Sequence, residues 1–148
     1  MKKIMYHEIL KIIMYSSIKD EHSVSIENGI LGLIHENQFH CHHIIDSFFN
    51  ELNKQPSYCV IVLILIRDHN ELRKIINEKR KLLDYQLILI YPPPPGFSKT
   101  NDHSEVMIQE GFKLYPRYAS YLKDDLTDVF LVLKKMKVRI ENRILKPK

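Results

Sequence analysis

The tetrapeptide His40-Cys41-His42-His43 holds the densest group of ligating side chains in the chain. On a strand, successive side chains point to opposite faces, so His40 and His42 share one face while Cys41 and His43 share the other. Two imidazoles at that spacing hold a metal if a third ligand arrives from elsewhere. No second Cys/His cluster of familiar spacing supplies one. Buried or edge-strand histidines are therefore the expectation, with His40 and His42 as the candidates for a metal. Cys41 and Cys59 form no C-x-x-C pair and are expected as buried thiols, in keeping with a cytoplasmic protein.

Gly96-Phe97-Ser98-Lys99-Thr100 ends like a phosphate-binding loop, but Ser98 stands where that pattern requires glycine before the lysine. The preceding Pro92 to Pro95 lack the backbone N–H groups such a loop donates. A flavin phosphate would have to sit at Ser16, Ser17 and Ser23, in a loop with no glycine for close backbone approach. There is no G-x-S-x-G elbow, and neither cysteine has neighbours that would lower its pKa. A non-enzymatic role is expected. Asp68 is expected to cap a helix, since Glu71 follows three residues later at capping-box spacing.

The elements that must position these residues follow from hydrophobic period. Strands are expected at Ile9–Tyr15, Phe39–Ile45, Tyr58–Ile66, Gln86–Tyr91 and Tyr118–Leu122, after an N-terminal extension over 1–8. Helices are expected over Ser25–His35, where Gly29 and Gly32 permit close packing on a sheet, and after Asp46-Ser47 up to Pro56. Others follow over His69–Leu83, over Ser104–Leu114, and after Asp124-Asp125. The last carries a stripe of Leu126, Val129, Phe130, Leu133 and Met136, continued by Ile140 and Ile144, and ends in a basic stretch over 138–148. Val60 to Ile66 and Leu87 to Ile90 are apolar at every position, so both faces of these strands must be covered, as in a parallel sheet between helical layers. Five βα units give an α/β fold: a three-layer, doubly wound (βα)5 open parallel sheet.

A length of 148 residues, 45% hydrophobic and 27% charged, fits one domain with its own core. No apolar run reaches the roughly 20 residues of a membrane span, and no cleavable leader is read at the start. The net charge of +4 is concentrated from Lys134 onward. No aromatic residue interleaves those cations, so nucleic acid is not the expected partner.

In element order the chain resembles the receiver domains of response regulators, which have flavodoxin-like topology. The matching pieces are the apolar third strand ending near Asp68, the fourth strand Leu87-Ile88-Leu89-Ile90, and Tyr118-Ala119-Ser120-Tyr121-Leu122-Lys123. The resemblance implies strand order 2-1-3-4-5, a phosphoacceptor at Asp68, Mg²⁺ held by acids after the first strand, and a lysine, Lys123, after the fifth. The pattern is incomplete. Ser16, Ser17 and Lys19 stand after the first strand, Asp20 and Glu21 come later, Tyr91-Pro92 ends the fourth strand, and Lys123 is displaced by one residue. The resemblance thus implies a degenerate receiver, a pseudo-receiver, that signals through a protein partner or a homodimer. Its contact face would draw on Tyr115, Arg117, Tyr118, Tyr121 and Lys123, and on the exposed side of Asp128 to Lys137. The competing expectations are FMN or another anion at the carboxyl edge of the sheet, or phosphorylation of Asp68 beside Ser17 and Lys123.

Overall fold

The apolar runs are buried at every position, from Val60 to Ile66 and from Leu87 to Tyr91. The computed structural model describes residues 10–91, 102–121 and 126–145. Its strands are β1 (Lys11–Ser16), β2 (Phe39–His42), β3 (Val60–Leu65), β4 (Gln86–Tyr91) and β5 (Tyr118–Tyr121). All pair in parallel, in the order β2-β1-β3-β4-β5. The helices are α1 (Glu21–Leu31), α2 (Ile45–Asn53), α3 (His69–Ile76), α4 (Asp102–Gly111) and α5 (Thr127–Leu145). This is the expected flavodoxin-like, doubly wound fold. No helix among the described residues is long and apolar enough to cross a membrane.

Register decides which side chains meet which layer. Tyr15 pairs with His42 on one side and Ile64 on the other, so these residues share a face. That face lies under α2, whose Phe48 ring sits 5.4 Å from the Tyr15 ring. It also lies under α4, where Gly111 leaves room for the Tyr91 hydroxyl: a Cβ there would fall 1.9 Å from it. The opposite face carries Met14, Cys41 and Leu63 at matched positions. It is covered by α1 and α5, which touch where the Phe130 ring lies over Gly29. A Cβ on Gly29 would be 2.1 Å from that ring. The glycine therefore serves helix-to-helix contact rather than the expected helix-to-sheet contact, and Gly32, at φ −79°, simply ends α1.

Several boundaries differ from the sequence reading, each for a local reason. α1 begins at Glu21 rather than Ser25, because Asp20 caps it: Ser23 N donates to Asp20 Oδ1 at 3.0 Å and Asp20 N to Ser23 Oγ at 2.9 Å. α2 starts at Ile45 without a side-chain cap, so Asp46 and Ser47 lie inside it. α3 stops at Ile76, and a 3₁₀ turn over Lys79–Lys81 resets the phase, which buries Leu82 and exposes Leu83. The stripe of α5 is buried at Leu126, Val129, Leu133, Met136 and Ile140, as expected, while Phe130 is half-buried. The extension over 1–8, the proline run from Pro92, the caps Asp124 and Asp125, Lys123 and the tail after 145 lie outside the described residues.

Candidate functional site

The carboxyl edge of the sheet is organised by Arg67, the first charged residue after β3. Its guanidinium donates from Nη1 to Asp20 Oδ2 at 3.1 Å and from Nη2 to Asp20 Oδ1 at 3.0 Å. Nη2 also reaches Ser16 Oγ at 3.1 Å and the Ile18 carbonyl at 3.2 Å. Ser16, buried at the end of β1, donates its own hydroxyl to Ile18 O at 2.7 Å. The planar fork of arginine suits this bidentate grip on a carboxylate. The Asp20 carboxyl lies below its usual range, chiefly through the Ser23 backbone hydrogen bond; burial opposes this, and the hydrogen bond and charge of Arg67 add to the lowering.

Asp68 caps α3: its Oδ1 accepts from Glu71 N at 2.8 Å. The reciprocal bond comes from one residue earlier, Arg67 N donating to Glu71 Oε1 at 2.8 Å. Glu71 also faces the Tyr15 hydroxyl at 3.4 Å. Burial, followed by the Glu71 charge, pushes the Tyr15 hydroxyl up to about 12. Tyr15, Ser17, Asp68, Asn70, Glu71 and Lys74 line one cleft of about 380 Å³. Ser17 and Asp68 thus line the same cleft, whereas Lys123 falls outside the described residues.

The Mg²⁺ that the resemblance implies does not fit the residues present. Mg²⁺ requires near-octahedral oxygens with carboxylates free to approach it. Asp20 does reach this edge, contrary to its expected place beyond the pocket, but a guanidinium already neutralises it. A flavin phosphate fits no better: the hydroxyl of Ser16 is spent within the cluster, and two carboxylates line the cleft beside Ser17.

At the β2 edge the expected alternation of faces holds. His40 and His42 point toward α2, where both rings are taken up by the Glu51 carboxylate rather than by a metal-ligand set. His42 Nε2 donates to Glu51 Oε1 at 2.6 Å, and His40 Nδ1 donates to Glu51 Oε2. The carboxylate thus takes an imidazole on each oxygen. Burial alone would raise the Glu51 pKa, but the hydrogen bonds from His42 and His40 outweigh it and hold the group below its usual range. A depressed carboxylate contributes stability above its unfolded pKa and loses it as pH falls through the folded one. Wild-type stability is therefore expected to drop below roughly pH 4.3 more steeply than that of Glu51→Gln. Urea midpoints across that range check this.

The face expected to make contacts carries an apolar groove of about 440 Å³ between α4 and the edge strand β5. Ile108, Phe112, Pro116, Arg117 and Tyr118 line it. Phe112 is 58% exposed and Tyr115 74% exposed, while Tyr118 is half-buried against the core. Tyr115 has φ 53°, a left-handed conformation that costs a non-glycine residue about 1 kcal/mol. Arg117 is exposed, and its backbone N–H donates to Leu87 O at 2.7 Å, fixing the approach to β5. The side chains of Tyr121 and Lys123 lie outside the described residues. Arg67 and Glu51 are the functional-site residues that sequence reasoning missed. The available signal for Arg67 was a single cation directly after a fully apolar strand.

No family model matches this chain, and no curated protein matches it.

Proposed function

We propose that this chain is a receiver-like regulatory domain that works through protein contacts at its α4–β5 face and not through phosphoryl transfer. The observation that carries this reading is Tyr115, largely exposed beside an apolar groove and held in a backbone conformation that glycine or asparagine would adopt at lower cost. Large aromatic side chains beside an arginine are the residue types on which protein contacts concentrate their energy. The Arg67 cluster supports the second half of the reading, because a guanidinium occupies the carboxylate that a receiver would give to Mg²⁺.

Tyr115→Asn is expected to fold with equal or slightly higher stability, by up to about 1 kcal/mol, while losing partner binding. A benzophenone photocrosslinker at position 115 should yield a discrete product, either with a second copy of the chain or with one other protein. The same group at exposed Asn37, beside the far edge of the sheet, should not. Identical products from both positions would overturn the proposal. Beryllofluoride with Mg²⁺ is expected to leave the melting temperature unchanged. Stabilisation that Asp68→Asn abolishes would restore the phosphoacceptor reading.

A further inference from the structure

We propose that Glu27, Cys41 and His43 form a binding site for a zinc-class divalent cation on the α1 side of β2, independent of the contact face. Among the described residues this is the one group of three ligating side chains whose donor atoms all lie within 4.8 Å of one another. Cys41 comes from the edge strand, His43 from the residue just past its end, and Glu27 from the helix above. A thiolate, an imidazole and a carboxylate are ligands that zinc accepts together, and the sulfur argues against Mg²⁺ or Ca²⁺, which take oxygen.

Two further observations point to an ion. The first is the tautomer of His43. Its Nδ1 lies 2.6 Å from the Ser16 carbonyl, which can only accept, so Nδ1 carries the proton and neutral Nε2 keeps its lone pair. Nε2 is the atom that faces Cys41 Sγ. Metal-bound histidines are held in this way, the distal ring nitrogen anchored on a carbonyl. The second is Glu27 Oε2, buried without a partner of its own in a carboxylate whose neighbouring donor is the Cys41 thiol, which burial and then Glu27 push up to about 12. A buried carboxylate with only a weak thiol donor beside it is under-satisfied, and a cation taking the place of the thiol proton would relieve it.

The spacing requires little adjustment. Zinc bonds of about 2.3 Å to sulfur and 2.1 Å to nitrogen place tetrahedral ligands about 3.6 Å apart. Cys41 Sγ and His43 Nε2 are 4.0 Å apart, so that pair closes by about 0.4 Å, and the Glu27 oxygen lies within 4.8 Å of both. Binding replaces the Cys41 proton, which leaves to solvent, with the cation. Three protein ligands leave a fourth position for water, and because β2 is an edge strand the site can be reached from outside the sheet.

Cobalt titration of the full chain, freed of metal by chelator, tests this. Co²⁺ is expected to give tetrahedral visible bands and a sulfur-to-cobalt charge-transfer band at one equivalent, both bleached by Zn²⁺. Cys41→Ser should lose the charge-transfer band and Cys59→Ser should keep it. Glu27→Gln and His43→Gln should weaken Zn²⁺ binding by more than the tenfold to about hundredfold typical of losing an outer-shell partner. Wild-type protein that stays folded by circular dichroism but gives no cobalt spectrum would overturn the proposal. So would a charge-transfer band that survives in Cys41→Ser. The wild-type spectrum decides even if a variant fails to fold.

Discussion

Leu63→Ala is expected to lower the stability of the fold by about 3–4 kcal/mol, within the roughly 2–5 kcal/mol for emptying a fully buried leucine site. Leu63 sits at the centre of β3, between Met14 of β1 and Ile88 of β4, and all three are fully buried. Their shared face is covered by α1 and α5, so the lost methyl groups cannot be replaced by water. The rigid ladder on both sides limits how far the cavity can collapse, which keeps the cost clear of the low end of the range. For a domain of this size the melting temperature should fall by about 10 °C. Leu83→Ala is the control: Leu83 is half exposed after the 3₁₀ turn and should cost about 0.5 kcal/mol or less. Urea denaturation of the two variants separates these values. A Leu63→Ala effect no larger than that of Leu83→Ala would mean that β3 is not buried on both faces, and the doubly wound arrangement would fall with it.

The same alternation that buries Leu63 explains how much could be read from sequence. Runs such as Val60 to Ile66 carry their burial on every residue, so parallel strands were legible without knowledge of their neighbours. The two faces of His40-Cys41-His42-His43 were legible for the same reason, since period two is a property of the strand alone. The partners on those faces were not. Glu51 reaches the imidazoles from α2 and Glu27 reaches Cys41 from α1, and each depends on where a helix crosses the strand, which local periodicity does not specify. The start of α1 was misplaced because Asp20 and Ser23 make a reciprocal cap, and a serine at the third position does the work usually sought from glutamate. The role of Arg67 was not legible because its carboxylate partner lies 47 residues earlier, in a loop that has no periodic signature. The contact face was legible as residue types, Tyr115 and Arg117 among them. The left-handed backbone that makes Tyr115 informative was not, because it arises at the end of a 3₁₀ turn.

Arg67→Met is expected to cost about 2–3 kcal/mol, by the following balance. Removing one member of a fully buried ion pair costs about 3–5 kcal/mol, because the remaining charge is stranded. Here the Arg67 side chain is only 13% exposed, but that of Asp20 is 36% exposed and keeps part of its hydration. The buried Arg67 Nε–H has no partner among the described residues, and its loss returns some of that energy. Both corrections move the expectation below the buried limit. It stays well above the roughly 1 kcal/mol or less of a surface pair, because the same fork also ties Ser16 and the Ile18 carbonyl. Arg67→Lys should recover less than half, since a single ammonium cannot span both carboxylate oxygens, a hydroxyl and a carbonyl in one plane. Adding Asp20→Asn to Arg67→Met should recover part of the loss, because the stranded charge is then gone while the amide can still accept from Ser23 N. A cost for Arg67→Met below about 1 kcal/mol would show the cluster to be an ordinary surface pair. Asp20 would then be free to serve a cation, and the reason given for a disabled phosphoryl site would be lost.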